Sequence, residues 1–399
     1  MVSYKKVQVL GSKMTVFRLQ AKQFFDGETL YQNKIITIKN GIIHSIDDVC
    51  DNENNKLDVA NVDEITDGLI APGFIDLQVN GGGNVLFNDS PSLAGIKTII
   101  GAHAKFGTTA MLPTLITDTL EKMQQAANAI AQAIAAKVPG IIGVHFEGPH
   151  LSLAKKGAHL ADYIRPISAA EWQILERKDL GQILVTLAPE NVSPQDITRM
   201  VKLGIKVCLG HTNADFKTAQ QAIDAGADGF THLYNAMSAI QGREPGVLGA
   251  AFINDHTSCG LIVDGHHVDY NSCKIALKNK PKGKLFLVTD AMPPVGCDEK
   301  EFELFNRKVI LENGKLTLPN GGLAGSALDM ACGVRNIKQY LGLSLEEALR
   351  MASLYPAQYL NSATTSGSLT VGKQADMVLL NDDLQVQSTW IAGEKIYSK

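Results

Sequence analysis

The spacing of apolar residues divides the chain into three stretches. Before Gly68, apolar and polar residues alternate or form β-branched runs over short segments, and no helical period of useful length is present. From Gly68 onward, short apolar runs alternate with amphipathic stretches of helical period. After Gly367 the β character returns. The first stretch predicts strands at residues 15–21, 34–38 and 42–46, with turns at Gly27, at Asn40-Gly41 and at residues 51–55.

The middle stretch contains eight apolar runs, and amphipathic helices separate most of them. Ser193 and Asp215 are placed to begin two of these helices, and Gly204 and Gly226 to end them. Eight strands, most of them followed by a helix, are typical of a (β/α)8 barrel. A doubly wound sheet is the main alternative, but no GxGxxG motif or P-loop follows the first run. The predicted strands are 69–79, 109–116, 140–147, 182–188, 206–210, 229–233, 260–264 and 284–290, and the clearest helices are 120–137, 169–178, 194–202 and 217–225.

The part of the chain after the eighth run predicts a different arrangement. Residues 302–318 resemble a hairpin around Asn313-Gly314, and two helices follow at 328–340 and 345–354. Strands are predicted at 375–380 and 387–391. Packing this tail against the N-terminal strands gives a small β-sandwich domain built from both chain termini. The predicted domains are therefore 1–67 and 367–399 for the β domain and 68–366 for the barrel.

Composition and charge exclude several classes of protein. The 399 residues are 45% hydrophobic and 20% charged, as expected for a globular chain with a large core. With 37 Lys+Arg against 41 Asp+Glu, the net charge of −4 argues against a nucleic-acid partner. No apolar run approaches a membrane span, and no signal peptide is evident, so we expect a cytoplasmic protein with no membrane partner. The six cysteines lack CxxC spacing, which favours reduced thiols.

Polar residues with metal-ligand chemistry follow the predicted barrel strands. Catalytic groups of such barrels lie at the carboxyl ends of the strands, so residues at these ends are expected to share one rim. A carboxylate, two histidines and a further aspartate are a set that suits a metal site. Each alone is a weak signal, but four at equivalent positions favour such a site. The residues at the strand ends are Gln78, Asn80, Glu147, Glu190, His211, His232, Asp264 and Asp290.

Several longer motifs carry a resemblance to a known family. The motifs are Ala71-Pro-Gly-Phe-Ile-Asp-Leu-Gln-Val-Asn-Gly81, His145-Phe-Glu-Gly-Pro149, Gly157-Ala-His159, Gly210-His-Thr-Asn-Ala214, Thr231-His-Leu-Tyr-Asn-Ala-Met237, Asp264-Gly-His-His-Val268, Thr289-Asp-Ala-Met292 and Leu323-Ala-Gly-Ser326. By these motifs the chain resembles the N-acetylglucosamine-6-phosphate deacetylases, within the amidohydrolase superfamily, over most of its length and in the same order. The ending Gly372-Lys-Gln-Ala-Asp-Met-Val-Leu379 resembles the returning β domain of that superfamily.

The resemblance implies a divalent metal held by Glu147, His211 and His232. This metal is commonly zinc, and other divalent transition metals are the alternative. The resemblance also implies a metal-activated water as nucleophile, with Asp290 as general base and then general acid. His159 would hydrogen-bond the acetyl carbonyl and stabilise the oxyanion.

The first strand departs from the superfamily's usual pattern. Gln78-Val79-Asn80 stands where many members have His-x-His, which favours one metal over two. Gln78 could orient a water at the second-metal position. A buried amide that satisfies backbone groups is an equally good interpretation of this residue.

The resemblance also assigns the substrate contacts. Arg243 and His267 would bind the phosphate, although the neighbouring His266 is an alternative to His267. Asn235 and Ala236 would lie nearby. Arg243 and His267 could act in a neighbouring subunit's site, so a homodimer or higher oligomer is implied. The remaining expected sugar contacts are Ala158, Leu323, Ala324 and Gly325.

We therefore expect an enzyme that converts N-acetyl-D-glucosamine 6-phosphate to D-glucosamine 6-phosphate and acetate. Its partner is a small amino-sugar phosphate. Another amidohydrolase activity, on N-acetylgalactosamine 6-phosphate or on a cyclic amide, is one alternative. A non-catalytic sugar-phosphate sensor on the same scaffold is the other, but Asp290 argues against it because a sensor needs no general base.

Overall fold

A computed structural model describes residues 16–49 and 62–399. The predicted turn at 51–55 lies outside these residues. The strands are β1 (Val16–Phe25), β2 (Leu30–Lys39), β3 (Ile42–Asp48), β4 (Glu64–Pro72), β5 (Phe74–Val79), β6 (Gly81–Gly82), β7 (Val85–Leu86), β8 (Thr108–Ile116), β9 (Gly143–Glu147), β10 (Gln182–Leu187), β11 (Lys206–Leu209), β12 (Gly229–Phe230), β13 (Ser258–Leu261), β14 (Leu285–Leu287), β15 (Glu301–Leu304), β16 (Arg307–Glu312), β17 (Lys315–Thr317), β18 (Met377–Leu380), β19 (Val386–Ile391) and β20 (Glu394–Ser398). The α-helices are α1 (Leu93–Ala104), α2 (Leu120–Ala135), α3 (Ala169–Leu175), α4 (Pro194–Lys202), α5 (Phe216–Asp224), α6 (Gly246–Ile253), α7 (Tyr270–Asn279), α8 (Met330–Asn336), α9 (Leu345–Ala352) and α10 (Leu354–Tyr359). A π-helical turn, Ile337–Leu341, follows α8.

Eight parallel strands form the barrel, in the order β5, β8, β9, β10, β11, β12, β13 and β14. Each of the eight predicted apolar runs overlaps one of them, which confirms the barrel prediction. The first and last strands meet at the carboxyl rim, where the Asp290 N–H donates to the Gln78 carbonyl at 2.9 Å and the Asn80 N–H to the Ala291 carbonyl at 2.9 Å. This closure brings the residues after β5 and β14 side by side.

The helices α4 and α5 have the caps that the sequence predicts, whereas α2 and α3 end at Ala135 and Leu175, before the predicted residues 137 and 178. The Ser193 side chain accepts a hydrogen bond from the Asp196 N–H, and the Asp215 side chain accepts one from the Thr218 N–H. Gly204 and Gly226 follow these helices with positive φ, the conformation that glycine adopts most easily. None of the helices in the described part of the chain has the length and apolar content to cross a bilayer.

The strands near the two termini form one seven-stranded sheet, in the order β20, β19, β18, β4, β1, β2 and β3. One of its faces adds Phe25, Leu69 and Val378 to the barrel core. The other encloses a second core that includes Phe24, Ile36 and Trp390, all at most 1% exposed. The small β domain built from both termini is therefore confirmed.

The structure corrects the first predicted barrel strand. The run 69–79 is two strands: β4 belongs to the terminal sheet and β5 to the barrel. The break falls at Gly73, where an added Cβ would lie 2.2 Å from the Thr109 side chain. Apolar residues on both sides of the break face buried surfaces, so hydrophobicity alone does not mark it. We therefore propose Gly73, rather than residue 68, as the start of the barrel.

A three-stranded antiparallel sheet, β15–β17, follows the last barrel strand. The turn at Asn313-Gly314 is present, as predicted, with φ of +51° and +77°. A second turn at Phe305-Asn306, with φ of +52° and +59°, divides the predicted first arm of the hairpin. This turn contains no glycine, and Asn306 is its only sequence signal.

Candidate active site

Three of the residues at the strand ends converge on one point. The Glu147 Oε1 atom lies 3.2 Å from His211 Nε2 and 3.1 Å from His232 Nε2, and the two Nε2 atoms are 3.0 Å apart. Glu147 ends β9, while His211 and His232 follow β11 and β12 by two residues each. All three side chains are buried. Parallel strands closed into a barrel bring these separate positions to one place.

The backbone at this rim is unusual. His211, His232 and Asp290 have φ of +48°, +33° and +54°, in the left-handed region that residues other than glycine rarely adopt. Each residue held in this conformation lowers the free energy of unfolding by about 1–2 kcal/mol. Strain of this kind is typical of functional sites, where the surrounding fold holds residues in a required orientation. Here it occurs at three of the four residues that the strand ends supply.

The donor set fits a divalent cation. Nδ1 of His211 lies 2.9 Å from the Lys155 carbonyl oxygen, so Nδ1 carries the proton of the neutral ring and the Nε2 lone pair faces the point where the three residues converge. Ligand atoms of Glu147, His211 and His232 all lie within 4.8 Å of one another. Two neutral imidazoles and one carboxylate form a common catalytic zinc set. These three residues could therefore hold a metal ion.

Two carboxylates at this site have opposite pKa shifts. Burial raises the pKa of Glu147, but the adjacent imidazoles of His211 and His232 outweigh burial and hold the pKa well below its usual value. Burial and the charge of Glu147 raise the pKa of Asp290 to about 6. A carboxyl group in that range exchanges protons readily near neutral pH, which suits a general acid–base group.

Two amides from the end of β5 connect these carboxylates. Nε2 of Gln78 donates to Glu147 Oε1 at 3.1 Å and to Asp290 Oδ1 at 3.2 Å. Nδ2 of Asn80 donates to the same Asp290 oxygen at 2.6 Å. Gln78 therefore turns a donor toward the two acids. This arrangement fits an orienting residue better than a metal ligand, because an amide nitrogen offers no lone pair to a metal.

His159 lies at the same site, with its ring 4.4 Å from that of His211. The Thr117 N–H donates to Nδ1 of His159 at 3.3 Å, and the Thr117 hydroxyl lies 2.8 Å from the same nitrogen. Nδ1 is therefore an acceptor, so the proton of the neutral ring is on Nε2. Burial lowers the pKa of His159 well below its usual value, which keeps the ring neutral. His159 thus has an N–H donor available for a substrate oxygen.

His267 lies at the same pocket and is held by a carboxylate. Its Nδ1 donates to Asp264 Oδ2 at 2.6 Å, and Asp264 Oδ1 accepts the backbone N–H groups of His266 and His267 at 2.9 and 2.8 Å. His266 is exposed, whereas His267 lines the pocket. Of the two histidines left open by the sequence, His267 is thus the one that faces the pocket.

The structure brings most of the expected residues to one cavity of about 180 Å³. This volume is below the range for drug-sized ligands, which favours a single small molecule over an oligosaccharide. Arg243 is exposed and does not line the cavity, and the described lining contains no lysine or arginine. The expected residues that line it are Glu147, Ala158, His159, His211, His232, Asn235, Ala236, His267, Asp290, Leu323, Ala324 and Gly325.

Sequence reasoning missed several residues around this cavity. Ile116, Met292 and Leu304 add apolar lining. Thr117 sets the orientation of His159. It directly follows β8, so its place at a strand end is the one signal in the sequence that marks it. Leu304 comes from β15, and nothing in its local sequence indicates that this strand reaches the cavity.

Comparison with known proteins agrees with this geometry. The model of the Amidohydrolase family matches residues 69–396. An N-acetylgalactosamine-6-phosphate deacetylase of Shewanella sp. (strain ANA-3) is 51% identical over 333 residues, 84% of each chain. An N-acetylglucosamine-6-phosphate deacetylase of Vibrio furnissii is 32% identical over 97% of each chain. The crystal structure of N-acetylglucosamine-6-phosphate deacetylase from Pasteurella multocida superposes with a TM-score of 0.90 at 36% identity, covering 96% of this chain and 100% of that one. The chain therefore belongs to the amidohydrolase family.

Proposed function

We propose that the protein is a metal-dependent hydrolase that removes the acetyl group from an N-acetylhexosamine 6-phosphate. The observation that carries this proposal is the meeting of a metal-ligand set, an acid–base group and a neutral N–H donor in one small cavity. Glu147, His211 and His232 form the first, Asp290 is the second and His159 is the third. The names of the relatives supply the substrate class.

Each of these residues has a separate task in the proposed reaction. Glu147, His211 and His232 would hold one divalent cation, for which we propose zinc; when bound, it supplies Lewis acidity toward water and the amide carbonyl. Asp290 takes a proton from the attacking water and later gives one to the departing amine, which leaves poorly as an anion. His159 donates its Nε2–H to the acetyl oxygen as negative charge develops there.

The described lining of the cavity contains no lysine or arginine to bind the phosphate. Of the two expected phosphate contacts, Arg243 and His267, only His267 lines the cavity. Arg243 lies exposed on the loop after β12, near the exposed side chain of Ile240. We propose that Arg243 completes the phosphate site of a second copy of this chain, as part of a homodimer.

The cytoplasmic location stays a prediction.

The epimer of the sugar has two candidates. The sequence motifs favour the glucosamine form. The relative that is 51% identical bears the galactosamine name, whereas the two glucosamine enzymes reported above are 32% and 36% identical. We rank N-acetyl-D-galactosamine 6-phosphate first for this reason and N-acetyl-D-glucosamine 6-phosphate second.

A panel of substrates tests the proposal. Acetate release is measured with both N-acetylhexosamine 6-phosphates and with the two unphosphorylated sugars, before and after treatment with a chelator. We expect a much larger kcat/KM for the phosphorylated sugars than for the unphosphorylated ones, the largest for the galactosamine epimer, and loss of release on chelation. Binding without acetate release would indicate the sensor. Release from a cyclic amide alone would indicate a different amidohydrolase.

A further inference from the structure

The small sheet formed by β15, β16 and β17 covers one side of the cavity. Leu304 of β15 lines the cavity itself. Val309 and Leu316, at most 1% exposed, belong to a cluster with Ile116 and Met292, which also line the cavity. The sheet therefore supplies part of the cavity wall, although it is not part of the barrel.

Arg307 connects this small sheet to the loop that carries His159. It begins β16 and pairs with Leu304 across the turn. Its Nη2 donates to the carbonyl oxygen of Ala158, the residue immediately before His159. Ala158 also lines the cavity. The Arg307 side chain thus links the small sheet to the cavity lining and to the residue next to the proposed oxyanion donor.

This loop also makes contacts within itself, where Lys156 Nζ donates to the His159 carbonyl at 3.3 Å, and contacts with the barrel. The Lys155 carbonyl lies 2.9 Å from Nδ1 of His211, and Thr117 holds the His159 ring from the end of β8. Between these two anchors, Arg307 holds the peptide that joins Ala158 to His159. The position of this peptide sets where the His159 ring begins and therefore where its Nε2–H points.

Arg307 and its neighbour Lys308 differ in what they contact. The Nε of Arg307 is buried, without a hydrogen-bond partner among the described residues, and its Nη2 donates to the Ala158 carbonyl. Lys308 is exposed and pairs with Glu301 of the adjacent strand at 2.6 Å. Only the arginine of these two adjacent cations contacts the loop that carries His159, so Lys308 is a matched control.

We propose that Arg307 is a positioning residue: through the Ala158 carbonyl it fixes the turn that carries His159, and so aims the His159 N–H at the reacting carbonyl. This inference rests on the proposed function. Its effect falls on kcat more than on KM, because the oxyanion contact strengthens as the reaction proceeds. A lysine at position 307 restores part of the effect, since its ammonium can also donate to a carbonyl.

A double-mutant cycle tests whether Arg307 acts through His159. Arg307→Met should lower kcat by up to about 10²-fold, the scale of a misplaced catalytic group, and Arg307→Lys should recover part of that loss. Lys308→Met, on the same strand, is the control and should leave kcat unchanged. In a His159→Ala background, Arg307→Met should cost less than about threefold. A full additional loss in that background would overturn the proposal.

A second measurement does not depend on activity. Amide hydrogen exchange of residues 153–164, followed by mass spectrometry, should become about tenfold faster in Arg307→Met and stay unchanged in Lys308→Met. Unchanged exchange in the arginine variant would overturn the positioning role even if the protein hydrolyses no sugar phosphate. If wild-type protein releases no acetate while the exchange result holds, the proposed function fails and the loop contact stands. If the methionine variant does not fold, Arg307→Gln replaces it in both measurements.

Discussion

Asn80 donates from Nδ2 to Oδ1 of Asp290 at 2.6 Å, across the seam where the first and last barrel strands meet. Gln78 donates to the same oxygen from the same strand end. Both amides thus hold Oδ1, and we expect Oδ2 to be the oxygen that exchanges a proton. The Gln-x-Asn sequence thus places two amide donors against one oxygen of Asp290, the proposed acid–base group.

Asp290→Asn should remove acid–base catalysis while keeping the metal-ligand set. We expect kcat to fall by about 10²–10⁴-fold or more, the range that general acid–base catalysis supplies. Steady-state acetate release measures this fall, and elemental analysis should show an unchanged metal content. Asp298→Asn is the control, because Asp298 is exposed on the loop that follows. Full activity of the Asp290 variant would refute its role.

His159→Ala should remove the proposed oxyanion donor. Loss of one such donor costs about 10²–10³-fold in kcat, with KM little changed, because the contact is made mainly in the transition state. Kinetics with the preferred sugar phosphate measure both parameters. A rise in KM at constant kcat would show that His159 only binds the ground state.

Arg243→Ala tests the phosphate contact. A charge-assisted hydrogen bond contributes about 1.5–3 kcal/mol, so we expect KM for the phosphorylated sugar to rise about tenfold to hundredfold. Selectivity over the unphosphorylated sugar should fall by the same factor. Lys202→Ala, another exposed cation, is the matched control. An unchanged preference between the two sugars would remove Arg243 from the site.

Mixing two variants tests whether Arg243 acts in a second copy. Arg243→Ala and Asp290→Asn chains, combined so that hybrid dimers form, should regain activity in one of the two sites of each hybrid. No recovery in hybrids would place Arg243 in the site of its own chain.

Asp376 predicts a pH dependence of stability away from the active site. Burial raises its pKa from 3.8 to about 6 in the folded protein, although the Ala392 N–H donates to it at 2.8 Å. The folded state therefore binds this proton more tightly than the unfolded state. Stability from this group is present at low pH and is lost as pH rises from about 4 to about 6, by up to about 3 kcal/mol.

Asp376→Asn removes that titration. Thermal unfolding of wild type and variant between about pH 3.5 and 7.5, values chosen to bracket this range, should show the variant gaining stability relative to wild type as pH rises. Asp382→Asn, on an exposed turn of the same sheet, is the control. A constant difference across the range would contradict the assigned shift.

The sequence predicts those features of the site that depend only on where a residue stands in its strand. Because the strand ends of a barrel share a rim, the sequence places Glu147, His211, His232 and Asp290 together. The resemblance added His159 and His267, and both line the cavity. The Asn-Gly turn of β16 and β17 followed from the conformational preferences of its two residues.

Other features depend on packing between distant segments, which periodicity does not record. The run 69–79 crosses from one sheet to another without a change in hydrophobicity, because both of its halves are buried. Arg307 and Thr117 matter through contacts with the loop at 155–159, and neither stands in a motif. The position of Arg243 outside the cavity depends on a loop whose sequence does not fix its direction.

The metal content of the purified protein, measured together with acetate release on the same sample, tests the central claim most directly. We predict one divalent cation per chain, with activity that rises in proportion to the bound metal and is lost in Glu147→Gln along with it. Full acetate release from protein free of metal would contradict the account, as would a full metal complement in the Glu147 variant.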